Sequence, residues 1–117
     1  MNYEDLEAVY QDLDAEIEAE RQHILSNPPE LLEKLQDYVK VLREDEPHPM
    51  PVEILEVLDA AVSFSFRANK TSFLARVRAD DGTEVLVWYF EGTYHPTRDD
   101  PGDFEAEMEW GSQRTRA

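Results

Sequence analysis

The sequence predicts an α+β domain: an N-terminal antiparallel helical hairpin and a short third helix, packed on a C-terminal four-stranded antiparallel β-meander. Three observations carry that prediction. Apolar residues recur every third or fourth position up to about residue 60, and every second position after it. Asp80-Asp81-Gly82 marks a hairpin in the second half. The 117 residues, 41% hydrophobic and 10% aromatic, suit one domain with a real core.

Tyr3, Leu6, Tyr10, Leu13, Ile17, Glu20 and Ile24 keep a 3-4 spacing, predicting a first helix over about 3–25. Ser26-Asn27-Pro28-Pro29 ends it, because proline cannot continue the hydrogen-bond ladder. A second helix over about 28–45 follows, with Leu31, Leu32, Leu35, Tyr38, Val39 and Leu42 as its apolar stripe. Asn27 and Glu30 resemble a capping box, and proline is tolerated in the first turn. So short a connection predicts neighbouring antiparallel helices, with the first stripe resting on the second helix. Glu20 interrupts that stripe and disfavours its use as a symmetric coiled-coil seam.

The proline-rich run from Glu46 to Pro51 forms a stiff break. A third helix is predicted over about 52–60, with Ile54, Leu55 and Leu58 inward. Strands are predicted over about 61–68, 72–79, 83–90 and 103–110. Val62, Phe64, Phe66 and Ala68 alternate with polar residues, and Phe73, Ala75, Val77 and Ala79 alternate with Leu74, Arg76 and Arg78. Val85 to Phe90 is apolar on both faces, so Leu86, Trp88 and Phe90 require cover in a central strand. Phe104, Ala106, Met108 and Trp110 alternate with Glu105, Glu107 and Glu109. The arginines of the first two strands and the glutamates of the last are expected on the same, open sheet face. The domain is expected to span 1–111, with a frayed tail over 112–117.

The charge is strongly acidic: 27 Asp and Glu against 11 Lys and Arg, a formal net charge of −16. From Met1 to Glu46 fourteen acids face only Arg21, Lys34, Lys40 and Arg43, a local balance of −10. Adaptation to a salt-rich cytoplasm would make the surface acidic throughout, yet Ala60 to Ala79 holds no acid and carries Arg67, Lys70, Arg76 and Arg78. The asymmetry points to an anionic helical surface aimed at a basic protein. It opposes direct nucleic-acid binding, which needs clustered Lys and Arg to release counterions.

Chemical motifs are absent. Without cysteine there is no disulfide, thiolate metal site or cysteine nucleophile. His23, His48 and His95 show no paired ligand spacing, the serines sit in no G-x-S-x-G elbow, and no glycine-rich phosphate loop exists. No catalytic residue, metal or cofactor is expected. The longest connection, 92–102, gathers Tyr94, His95, Arg98 and Asp99 and is the one place where a base, a cation and a hydroxyl can converge, although Pro96 and Pro101 also suit a rigid turn.

Three function classes remain. The first, preferred, is a small inhibitor of DNA-mimic, anti-defence or antitoxin/immunity type, cytoplasmic and of prokaryotic or phage kind. Its partner would be a nuclease, a nucleic-acid-binding protein or a polymerase, met by Glu4, Asp5, Glu7, Asp12, Asp14, Glu16 and Glu18, with Glu44, Asp45 and Glu46 extending the surface. Mimicry would show as a double row of carboxylates about 6 to 7 Å apart. The second is a structural or self-assembling module, monomer or homodimer. The third is a small enzyme using the 92–102 loop. No apolar run approaches a membrane span of roughly 18 residues.

Overall fold

The computed structural model describes residues 3–64, 68–95 and 102–114, with side chains from Leu13 onward. Among them are helices α1 (Tyr3–Ser26) and α2 (Pro28–Leu42) and strands β1 (Pro51–Phe64), β2 (Ala68–Ala79), β3 (Glu84–Tyr94) and β4 (Asp103–Trp110). The strands form one antiparallel sheet in the order β1-β2-β3-β4, the meander that the alternation predicts.

The expected third helix does not form. Residues 52–60 belong to β1, which pairs with β2 along its length. The error has a physical source. The register shifts between Pro51 and Glu53, between Ile54 and Glu56, and between Val57 and Asp59, so Val52, Leu55 and Leu58 are each one residue too many. Each is a β-bulge, in which two residues oppose one on the partner strand. Three bulges in succession stretch the strand's two-residue repeat to three. Pro51, Ile54, Val57 and Ala60 therefore stand opposite Ala79, Val77, Ala75 and Phe73, on one face. A repeat of three reads as helical in the sequence. The buried row on β2 settles the contest, because Phe73, Ala75, Val77 and Ala79 need a partner strand whose side chains lie on the same face.

The β2–β3 hairpin is the predicted one, with a different turn. Gly82 (φ +86°) has positive φ and no described non-glycine residue does, which excludes a type I′ turn at Asp81-Gly82. The Gly82 N–H donates to the Ala79 carbonyl at 3.0 Å, and Asp81 accepts from the Thr83 N–H and hydroxyl at 3.0 and 2.6 Å.

The helices cover one sheet face, where Ile24, Leu31, Leu35, Ala60, Phe73, Ala75, Val77, Val87 and Tyr89 form the core. The stripe on α2 works as predicted, with Leu35 and Val39 wholly buried. The helices make few contacts with each other, and each lies chiefly against β1. The part of α1 within the described residues thus lies against the strand more than against α2, with Ile24 joining Leu31 and Leu35 in the core. Their junction also departs from a capping box. Asn27 makes no side-chain bond to the helix backbone. Its amide donates to Glu30 at 3.0 Å, and the same carboxylate meets His23 at 2.8 Å.

Helix side chains also close β1's backbone. Arg21 Nε donates to the Ala60 carbonyl at 3.0 Å and Gln36 Nε2 to the Pro51 carbonyl at 3.1 Å. An edge strand otherwise exposes such groups, and bulges and proline blunt it further. At the near end Asp80 joins three segments: it accepts from the Met50 N–H at 3.0 Å and from Arg43 at 3.1 Å, while its own N–H donates to the Met50 carbonyl at 2.8 Å. The bond from Met50, then Arg43, holds its carboxyl below the usual carboxylate range.

Under the sheet, Lys34 pairs with Glu91, which accepts from the Tyr89 hydroxyl at 3.0 Å. Tyr38 meets the Tyr89 ring edge-on at 6.1 Å, and Phe73 lies against it at 5.5 Å. Burial first, then the Glu91 charge, raises the Tyr89 hydroxyl well above the ordinary tyrosine range.

Two predictions follow from this packing. Val57→Lys places a charge in the core face of β1 and should cost at least about 2 kcal/mol in denaturant unfolding, whereas Val52→Lys, at an exposed bulge, should stay within about 0.5 kcal/mol. A helical 52–60 would have tolerated the change at Val57. For Tyr89, the folded state resists ionisation that the unfolded chain undergoes near pH 10, so its stabilisation is complete below about pH 10 and is lost as pH rises beyond it. Comparing unfolding between pH 8 and 11.5, Tyr89→Phe should show a shallower alkaline decline than the parent.

Candidate protein-binding surface

The open sheet face is built by the residues that alternate with the core. Across it, Glu53, Arg78 and Glu84 are aligned, as are Asp59, Leu74, Trp88 and Glu109, and then Ala61, Ser72, Phe90 and Glu107. The expected mixed-charge face is present, and its described strand arginines, Arg76 and Arg78, are paired with carboxylates of the protein itself. Arg78 reaches Glu53 at 2.6 Å and Glu84 at 3.5 Å. Arg76 reaches Glu84 at 3.7 Å and Glu56 at 3.9 Å. Of the run that looks basic in sequence, Arg76 and Arg78 are therefore paired with acids on the two strands beside them, Lys70 is not, and Arg67 lies outside the described residues.

The same holds elsewhere. Arg21 meets Glu18 and Asp59, Lys34 meets Glu91, Lys40 meets Asp37, Arg43 meets Asp80 and Arg114 meets Glu109. Most of these pairs are half exposed, and each contributes at most about 1 kcal/mol. Their larger effect is on the field. With the described cations other than Lys70 each set against a carboxylate, the net acidity is carried by carboxylates left over.

Several of those are the residues singled out in sequence. Asp14, Glu16 and Glu18 are exposed on α1; Glu44, Asp45 and Glu46 are exposed in the turn after α2. Glu4, Asp5, Glu7 and Asp12 fall on the backbone of α1, and their side chains lie outside the described residues. Asp14 and Glu18 share a face about 6 Å apart along the axis, but Glu16 is about 160° around the helix from Asp14. Glu18 is also held by Arg21 at 3.5 Å and Gln22 at 2.8 Å. Among the described residues, Asp14, Glu16 and Glu18 thus lie on different sides of α1 and not in a single row. The second cluster is held at a different station along β1. Arg21, near Asp14–Glu18, is anchored at Asp59 and Ala60, while Arg43, beside Glu44–Glu46, is anchored at Asp80. Glu105 and Glu107, exposed on β4, add a third acidic strip that the sequence reading had not ranked as a binding surface.

Of the 92–102 connection, residues 92–95 and 102 lie within the described residues. Tyr94 is exposed at the end of β3. The His95 ring lies so close to Gly102 that a Cβ there would sit 2.5 Å from it. A concavity of about 510 Å³ nearby is lined by Lys70, Tyr94, Asp103, Phe104 and Glu105, without His95. Arg98 and Asp99 lie outside the described residues. Among the described residues no group of three or more His, Cys, Asp or Glu is placed to hold a metal ion, and no helix is long and apolar enough to cross a membrane.

The structure shows how the aromatic residues that the sequence marked as needing cover are arranged. Trp88 and Phe90, two residues apart on β3, stack nearly parallel with centroids 6.0 Å apart. Gly111 (φ +74°) turns the chain back after β4, and the Ser112 N–H donates to the Leu86 carbonyl at 2.9 Å. Ser112 is buried, so the expected fraying does not begin there. Arg114 then lies over the Trp88 ring at 4.0 Å, with its Nε 3.1 Å from Glu109. The signal was the unmet need of Leu86, Trp88 and Phe90 for cover. That an arginine supplies part of it was not visible.

No protein-family model, curated protein or solved structure matches the chain. The neutralised sheet makes a direct prediction. Changing Glu53, Glu56 and Glu84 together to Gln should uncover Arg76 and Arg78 and increase retention on a heparin column at low salt, with little loss of stability. Unchanged retention would mean that these pairs do not mask the arginines.

Proposed function

We propose that this protein acts by binding a basic protein, presenting an anionic surface centred on α1 and the turn after α2. The observation that carries this reading is the charge bookkeeping of the fold: the described arginines face internal carboxylates, while Asp14, Glu16, Glu44, Asp45 and Glu46 remain exposed with no ion pair to another described residue. Such a surface steers a cationic partner by its long-range field, and its association weakens with salt. A nucleic-acid-binding enzyme or polymerase in a prokaryotic or phage-infected cytoplasm is the partner class this chemistry suits, since its groove is built to receive a polyanion. The wrapped arrangement on α1 favours attraction by overall field over atom-for-atom imitation of a phosphate row.

The test is a charge reversal. Asp14→Lys, Glu16→Lys and Glu18→Lys together should leave the thermal midpoint within a few degrees and weaken binding to a captured basic partner by at least about tenfold at 50 mM salt, with the difference shrinking toward 500 mM. Binding that survives the reversal at low salt would remove α1 from the interface.

A further inference from the structure

The contact between Arg114 and Trp88 has the composition of a recognition site. Trp88 offers a flat π-face, and Glu109, directly across the strand pair, accepts from the guanidinium Nε at 3.1 Å. Phe90 extends the aromatic surface along β3. Beside Arg114 opens a concavity of about 330 Å³, floored by Leu74 and bounded by Trp88, Ser72, Ala61 and Asp59. It has an aromatic wall, an apolar floor and one lining carboxylate, Asp59, which also faces Arg21 at 3.6 Å. A planar guanidinium satisfies the stack and the carboxylate at once; an ammonium is a more strongly hydrated point charge that cannot lie flat on a ring.

From this geometry we infer that the open face of the sheet is an arginine-recognition site, in which Arg114 is the resident occupant and an arginine of a basic partner is the exchanging one. The inference rests on the partner chemistry proposed above and gives that partner a specific anchor. Arg114 is suited to be displaced. Its side chain remains about half exposed, at 51%, and it contacts one ring face and one carboxylate. The 111–114 segment is tied to the sheet through Ser112, whose N–H binds Leu86 and whose hydroxyl accepts from the Arg114 N–H at 3.1 Å. Those bonds do not depend on where the guanidinium lies. Arg114 can therefore swing off Trp88 while the segment stays docked, and an incoming arginine takes its place with the neighbouring partner residue in the concavity toward Asp59. Arg76 and Arg78, by contrast, each face two carboxylates on the same sheet face.

The experiment uses the intact chain and two synthetic probes, a tetra-arginine peptide and a tetra-lysine peptide, with the indole N–H resonances of Trp88 and Trp110 as separate reporters. The arginine probe should shift the Trp88 signal, leave Trp110 nearly unmoved, and bind at least about threefold more tightly than the lysine probe. Arg114→Ala should tighten arginine binding by about three- to tenfold, because a resident competitor is removed. In that background Glu109→Gln, isosteric and exposed, should reverse the gain; Trp88→Leu should do the same if its unfolding midpoint matches the parent. Equal binding of both probes, or no tightening in Arg114→Ala, overturns the site. A dimer that dissociates on Arg114→Ala would also overturn it, making Arg114 the ligand of a second copy. The two readings separate cleanly: the α1 charge reversal can abolish partner binding while Arg114→Ala changes nothing, in which case the anionic-surface reading stands and this site does not.

Discussion

The three consecutive bulges of β1 are the constraint on which the rest of this structure depends. They let fourteen residues pair along a shorter stretch of β2 and keep Pro51, Ile54, Val57 and Ala60 on the core face. Bulges also bend a strand and increase its twist. A bent edge strand suits what is seen here, where both helices lie closer to β1 than to the interior strands. Arg21 and Gln36 then reach its carbonyls from the helices, so the edge is closed by side chains rather than by another strand. Without the bulges every second residue from Val52 onward would face the core, including Glu56, and the sheet would have no consistent apolar side.

The same strand organises the electrostatics. Because Val52, Leu55 and Leu58 are the extra residues, Glu53 and Glu56 come to the open face opposite Arg78 and Arg76. One geometric device thus sets both the buried row and the ladder of ion pairs. The stabilisation from such exposed pairs is small. Their consequence is that Arg76 and Arg78 are set against carboxylates of the sheet, and acids unpaired among the described residues remain exposed on α1, in the turn after α2 and along β4. The acidity is therefore broader than the contrast between the halves of the sequence suggests.

The aromatic strip on β3 is the counterpart of that acidity. A central strand that is apolar on both faces needs burial twice, by helices on one side and by something else on the other. Here the second cover is partial: the 111–114 segment folds back, and Arg114 spreads its guanidinium over Trp88. An arginine suits a site that combines an exposed ring with a nearby carboxylate, since its plane stacks while its edge donates.

Much of the fold was legible in the sequence because local patterns decided it. The 3.6-residue stripe of Leu31, Leu35 and Val39, the Pro28-Pro29 start of α2, the place of the β2–β3 hairpin and the alternation in β2 and β4 act over a few residues and were read correctly. The net charge, and the lack of cysteine and of paired histidines, were fixed by composition. What the tertiary structure decided were matters of partnership. A bulged strand and a helix share a three-residue repeat, and only the waiting edge of β2 distinguished them. Whether Arg76 and Arg78 are a basic patch or half of an ion-pair ladder depended on acids more than ten residues away along β1 and on Glu84 across the hairpin. The cation over Trp88 came from a segment that sequence alone marked as frayed. The physical reason is common to all three: periodicity reports the face a residue belongs to, but not which strand, charge or ring lies opposite it.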